Sequence, residues 1–334
     1  MHVFNPAVRG CRYGKPQADG IERHLCGLGP LPHKNKTFLT EISINPALDY
    51  CKHIDYHDYV MKCDWVDDMK ALAGEYGFDD ARIAPGETGS ILVLFSAYSP
   101  AQPCGEGRIS LSSYYTASNR AYGNAALLAE KLCAAGIAAK RDSSLPAKEI
   151  ALKTGGFIGK NGFYYHPVLG SLVHIQTVAL DLDCVEEAHG PDKCAGCGKC
   201  MRSCPAGAIT DAGVNYESCV RYHMNGAVPD ELKPFVYQLY GCEKCQSACP
   251  MNVASRETGN SFGMEETIKG ETLPELQQLA GKNIARYVRT VNQAIIVAAN
   301  TGNTASAAEV EALAGDARFA DACRYYRQKT AEKD

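Results

Sequence analysis

Residues 194–205, CAGCGKCMRSCP, and residues 242–250, CEKCQSACP, decide how this chain is read. The first stretch is C-x2-C-x2-C-x3-C closed by Pro205, with cysteines at 194, 197, 200 and 204. The second is C-x2-C-x3-C closed by Pro250, and Cys219 stands upstream of it as the first ligand of its set. Together they hold eight of the sixteen cysteines in the chain. Cysteine thiolates in this run ligate [4Fe–4S] clusters, and the fourth cysteine of the run serves the other cluster. That rule assigns Cys194, Cys197, Cys200 and Cys249 to one cluster. Cys204, Cys219, Cys242 and Cys245 then hold the second. Structural zinc also uses C-x2-C pairs, but zinc does not account for a four-cysteine run closed by proline and repeated.

A module of this kind is bacterial-ferredoxin-like and carries electrons, so the acceptor must come from the rest of the 334 residues. The 22 residues between Cys219 and Cys242 also set it apart from a plain ferredoxin. An apolar content of 46 % is ample for a globular core. The net charge of −4 gives no global attraction to nucleic acid or anionic membranes. No run of 18 apolar residues is present, so no membrane span is expected. The N-terminal MHVFNPAVRGCRYGK has no apolar signal region. With thiolate-bound clusters this implies a cytoplasmic protein.

Four segments follow from the patterning. Residues 1–64 form an irregular extension containing Cys11, Cys26, Cys51 and Cys63, and Asp55-x-His57 there is an incomplete D-x-H-x-x-G. Residues 65–183 alternate helix and strand signals, which argues for an α/β sandwich domain. Within it, Trp65–Tyr76 has helical spacing closed by Gly77, and Ser90–Tyr98 is a buried strand. Asn119–Ala135 is a helix ending at Gly136, and Ser171–Leu180 is a second strand. Residues 184–254 are the double-cluster module. Residues 255–334 are a polar linker, 255–272, and a short helical tail in which Lys282, Arg286 and Arg289 would share one helix face.

With those landmarks placed, the chain resembles the epoxyqueuosine reductase and reductive dehalogenase superfamily from about Trp65 to Lys329. The most specific stretch is Cys194–Pro250, including GAVPDELKPFVYQLYGCEKCQSACP. Upstream, Leu145-Pro146-x-Lys148-x-x-Ala151 leads into Thr154–Gly162, TGGFIGKNG, which is similar to the family's glycine-rich stretch beside its corrinoid. QAIIVAANTGN resembles the start of the helical repeat that ends epoxyqueuosine reductases. The resemblance implies cobalamin and two [4Fe–4S] clusters. It places Lys148, Gly155, Gly156, Gly159, Lys160, Asn161, Gly162 and Ser171 at the corrinoid, where glycines would let the backbone approach a flat macrocycle.

Two departures matter. Epoxyqueuosine reductases carry a G-R-D-Y-H stretch whose aspartate is the proton donor, and the corresponding Tyr114–Asn124, YYTASNRAYGN, has no acidic residue. Tyr114, Tyr115 and Tyr122 are instead close to the tyrosine acid of reductive dehalogenases, with Arg120 as the cation that lowers a phenol's pKa. The segment Phe78–Ser90 is also shorter than in the family, so residues 1–64 would replace its cover over the cofactor.

The sequence therefore favours a cobalamin-dependent iron–sulfur reductase cleaving a bond in a small organic substrate, with ferredoxin or flavodoxin as donor. One alternative is an electron-transfer or corrinoid-reducing protein. Another is an epoxyqueuosine reductase acting on tRNA. The eight basic and eight acidic residues of 271–334 disfavour that last reading.

Overall fold

The computed structural model describes residues 64–332 apart from 103, 185, 192 and 253–258. The expectations for the cysteines and histidines of residues 1–63 lie outside the described residues. The chain divides into Met1–Tyr59 and Val60–Asp334, and everything below concerns the second unit.

In chain order the strands are β1 (Asp80–Pro85), β2 (Ser90–Ala97), β3 (Arg108–Ser110), β4 (Ala139–Arg141) and β5 (Phe157–Ile158). They continue as β6 (Tyr164–Tyr165), β7 (Val173–Leu180), β8 (Ile209–Thr210), β9 (Gly213–Val214) and β10 (Ser261–Gly263). The first six helices are α1 (Asp64–Glu75), α2 (Ser113–Ala134), α3 (Ala147–Leu152), α4 (Lys199–Ser203), α5 (Val220–His223) and α6 (Lys244–Ser247). The rest are α7 (Met264–Lys269), α8 (Leu273–Ala280), α9 (Tyr287–Thr301), α10 (Ala307–Leu313) and α11 (Ala320–Ala331).

The apolar run SILVLFS is buried on both sides because β2 lies inside a four-stranded sheet of order β1-β2-β7-β4. Successive side chains of a strand point to opposite faces. Leu92 and Leu94 thus pack on Met69 of α1 and on Ala125 and Leu128 of α2. Ile91, Val93 and Phe95 pack on Ile150 of α3 and Tyr164 of the β5–β6 hairpin. Every pairing in this sheet is antiparallel, so the helix–sheet–hairpin sandwich is of the α+β kind. Gly77 at φ +79° closes the turn after α1, as its sequence position leads one to expect.

Three local expectations are corrected. α2 begins at Ser113, six residues before the expected start. Its first turns, SYYT, are rich in aromatic residues of modest helix propensity, and burial of Ser113 and Ala117 overrides that. Residues 261–269 are not a linker. β10 pairs with β3, and Phe262, Met264 and Ile268 enter the core built around α9 and α11. Lys282, Arg286 and Arg289 do not share a helix face, because α8 ends at Ala280 and α9 starts at Tyr287. Arg289 instead donates to the carbonyls of Asn225 and Ile284, at 2.8 and 3.0 Å. Among the described residues no helix is long and apolar enough to cross a membrane.

Candidate functional site

The cysteine loops are short and turn at glycine. Gly196 and Gly198 adopt φ of +68° and +70°, a region open to glycine, and they wrap the 194–200 loop back on itself. Backbone amides already face two of the sulfurs: Gly196 N lies 3.5 Å from Cys194 Sγ and Ala208 N lies 3.3 Å from Cys204 Sγ.

Cysteines distant in sequence come within electrostatic reach of one another. Burial raises the Cys200 thiol, and the neighbouring charges that add to this are Cys194 and Cys249. Burial pushes the Cys245 thiol up to about 12, with Cys242, Cys219 and Cys204 adding to it. Cys242 is raised in the same way beside Cys219 and Cys204. Cys197 is exposed on the loop that carries Cys194 and Cys200. Four thiolates so crowded cannot all ionise unless a cationic core lies among them, which is what an iron–sulfur cluster provides. Cys204, Cys219, Cys242 and Cys245 line one cavity with Asn161, Phe163, Arg221 and Lys244.

The residues between the second-set cysteines lock this module onto the α+β sandwich. Glu243 accepts from Ser112 Oγ at 2.7 Å and from the Ala101 amide at 2.8 Å. Gln246 Nε2 donates to the Ser171 carbonyl at 2.8 Å and to the Tyr98 hydroxyl at 3.3 Å. The Ser171 amide donates to Asn252 Oδ1 at 2.6 Å. Ser171 is therefore a buried docking residue between sandwich and module.

The expected tyrosine–arginine group is divided by the helix. Tyr114 points inward, edge-on to Tyr98, Tyr115 and His174. Tyr122 lies more than two turns along and is half exposed, its hydroxyl accepting from Arg141 Nη2 at 2.7 Å. Arg120 is exposed. The cation at Tyr114 is Arg221, with its guanidinium carbon 4.5 Å from the ring centre and 5.3 Å from that of Phe163. The expected acidic phenol is corrected as well. Burial raises the Tyr114 pKa, and the Arg221 charge only partly opposes this. Burial also lowers His174 to about 4, leaving a neutral ring near pH 7. His174 Nδ1 and Gln246 Oε1 are buried without a hydrogen-bond partner beside this group, and so is Nη1 of Arg221, whose side chain also lines the cysteine cavity. Such orphaned atoms fit a bound polar ligand.

The glycine-rich loop is spent on packing. A Cβ on Gly155 would sit 2.4 Å from the His189 carbonyl oxygen, and one on Gly156 would sit 2.2 Å from that of Tyr165. One on Gly159 would meet the Tyr165 ring at 2.5 Å, and one on Gly162 would meet Val214 at 3.2 Å. Lys148 Nζ donates to the Gly162 carbonyl at 3.3 Å, Lys160 pairs with Asp211 at 2.6 Å, and Asn161 Nδ2 donates to the Tyr165 hydroxyl at 3.0 Å. Each of these glycines lets the chain approach other protein atoms closely on the side a Cβ would occupy. Tyr98, His174, Arg221 and Gln246 were not singled out from the sequence. Only Arg221 and Gln246 carried a signal there, as polar residues beside cluster cysteines.

Residues 193–252 match the family of 4Fe-4S double cluster binding domains. Over 113 residues the chain is 32 % identical to epoxyqueuosine reductase of Bacillus subtilis (strain 168), covering 32 % of this chain and 29 % of that protein. Over 136 residues it is 30 % identical to epoxyqueuosine reductase of Escherichia coli (strain K12), covering 39 % and 36 %. These alignments span only about a third of either curated relative. The fold extends further. A structure of the Bacillus subtilis enzyme superposes at a TM-score of 0.67 and 17 % identity, covering 80 % of this chain and 90 % of that one. An epoxyqueuosine reductase crystallised with a tRNA-Tyr stem loop superposes at 0.65 and 16 % identity, with the same coverage.

Fold and site thus define a double-cubane iron–sulfur protein, with its cluster module docked on a helix-backed antiparallel sheet. Within that class the chain is similar to the epoxyqueuosine reductases.

Proposed function

We propose that this protein is an iron–sulfur reductase acting on an epoxyqueuosine-type nucleoside in tRNA, with cobalamin as its cofactor. The observation that carries the reductase reading is that Arg221, which lines the cavity of the second cysteine set, also stacks on the Tyr114 ring. It puts a buried hydroxyl next to an electron source. The substrate class rests on kinship, since the curated relatives named above are epoxyqueuosine reductases. That kinship outweighs the small-molecule reading the sequence favoured, and the balanced charge of the tail does not oppose it strongly enough.

Removing an epoxide oxygen as water consumes two electrons and two protons. Cobalamin, when bound, supplies the low-potential cobalt reductant for such a step. In this reading Cys194, Cys197, Cys200 and Cys249 hold one cluster and Cys204, Cys219, Cys242 and Cys245 the other, with ferredoxin or flavodoxin as donor. His174 and Gln246 offer hydrogen bonds to the polar rim of the cofactor or substrate. Tyr114, kept protonated by burial, donates to the oxygen on which negative charge develops. Arg221 holds its ring in place.

The test is anaerobic turnover of an epoxyqueuosine-bearing anticodon stem loop with added cobalamin and reduced flavodoxin, followed by mass spectrometry of the nucleosides. Loss of one oxygen is the expected result. No loss by protein carrying full iron and cobalt would sink the tRNA reading. One observation favours a second reading, a different reducible substrate. The Bacillus subtilis structure is described with an aspartate catalytic loop, and Tyr114–Asn124 has no carboxylate. Turnover of small epoxides or aryl halides alone would establish it.

A further inference from the structure

Arg221 carries more than the position of Tyr114. Its Nη1 is buried and has no hydrogen-bond partner in the protein. A charged donor buried without a partner is costly, so a partner at that position is stabilising. The same side chain lines the cavity that Cys204, Cys219, Cys242 and Cys245 enclose. We propose that Arg221 sets the reduction potential of the cluster held by those four cysteines, by directing an N–H donor and a positive charge into its cavity. This rests on the ligand sets given above.

The side chain is fixed for the purpose. Tyr114 covers one side of the guanidinium at 4.5 Å and Phe163 stands at 5.3 Å, both in cation–π range. Glu243, a carboxylate whose charge reaches it, is itself engaged by Ser112 Oγ and the Ala101 amide. On one-electron reduction the [4Fe–4S] core passes from 2+ to 1+, and with four thiolates the total goes from −2 to −3, with no bond made or broken. A nearby cation and an N–H donor both favour the more negative form and raise the potential. The first cysteine set is served differently. The cation whose charge reaches Cys194 and Cys200 is Lys160, an exposed-end ammonium paired with Asp211 at 2.6 Å.

The test uses the full chain with both clusters reconstituted anaerobically and iron counted. Dithionite with mediators titrates the clusters while EPR follows each signal, and Cys197→Ala, expected to lose the first cluster, identifies the signals. Arg221→Met should shift one midpoint downward and leave the other in place. Arg221→Lys should give a smaller shift of the same signal, as should Tyr114→Leu, which frees one side of the guanidinium. Full iron with both midpoints unmoved in Arg221→Met overturns the proposal, and so does an equal shift of both. If Arg221→Met does not retain iron, unmoved midpoints in Arg221→Lys and Tyr114→Leu overturn it. An iron count in the unaltered chain too low for two cubanes would fail the ligand assignment itself.

Discussion

The Arg221 guanidinium lies 4.5 Å over the Tyr114 ring, joining a residue two beyond a cluster cysteine to the first turn of the long helix α2. Tyr122, on the same helix, has Arg141 at 3.7 Å from its ring and faces solvent. The two tyrosines should differ sharply on substitution. Tyr114→Phe should lower kcat by about 10²-fold, the lower end for losing a positioned proton donor, with iron and cofactor content unchanged. Tyr122→Phe should leave kcat within about twofold of the unaltered chain, because a half-exposed hydroxyl bonded to an arginine contributes little. Steady-state rates beside metal analysis decide it. Equal losses in both would show that α2 matters only as scaffold.

The cysteines give a second test. Cys245→Ser should halve the iron content and abolish one EPR signal, since Cys245 stands with Cys242, Cys219 and Cys204. Cys133→Ala and Cys323→Ala should leave iron intact. Cys133 Sγ lies 3.1 Å from the Ala139 carbonyl and Cys323 Sγ lies 3.5 Å from that of Val310, both far along the chain from the cluster loops. Iron loss in either would mean the quartets are wrongly drawn.

The double-cluster module was legible in the sequence because ligation imposes cysteine spacing directly. A cubane needs its thiolates at set intervals, and no other constraint writes C-x2-C-x2-C-x3-C-P. β2 and β7 were legible for a similar reason, being apolar runs bounded by turns. The Tyr114 pocket was not. Its members come from the residue after β2 and from α2, β7, α5 and α6, and nothing in a local window says that Arg221 rather than Arg120 will reach the phenol. The same blindness made 261–269 look like a linker. Phe262, Met264 and Ile268 are sparse among polar neighbours, and only the pairing of β10 with β3 turns them inward.

The glycine loop separates packing from cofactor contact by stability alone. Gly156 has φ +85°, and a Cβ there would fall 2.2 Å from the Tyr165 carbonyl oxygen. Gly156→Ala should destabilise the protein by about 2 kcal/mol or more, since backbone must move as well as adopt a left-handed angle. Gly213 has φ +115° with open space around it, so Gly213→Ala should cost only the conformational strain, about 1–2 kcal/mol. Urea denaturation without added corrinoid measures both. If Gly156→Ala is as mild as Gly213→Ala, the loop is not packed as described.

Acid stability should carry the mark of one carboxylate. Burial works to raise Asp80, but hydrogen bonds from His166 and Arg82 and their charges outweigh it and hold the carboxyl at about 2 against an ordinary 3.8. His166 Nε2 lies 2.9 Å from Asp80 Oδ2, and Arg82 Nε lies 2.9 Å from the same oxygen. Because the folded value is the lower one, the stabilisation is complete above pH 3.8 and is lost as pH falls towards 2. Its size is about 2 kcal/mol at neutral pH. Asp80→Asn should therefore lower the unfolding free energy by about that much at pH 7 and flatten its fall between pH 4 and pH 2. Cys323→Ala, remote from the sheet edge, serves as the control that keeps the acid limb. A variant whose acid limb matches that of the unaltered chain would show that His166 and Arg82 do not hold Asp80 ionised, and that β1 owes its place to burial alone.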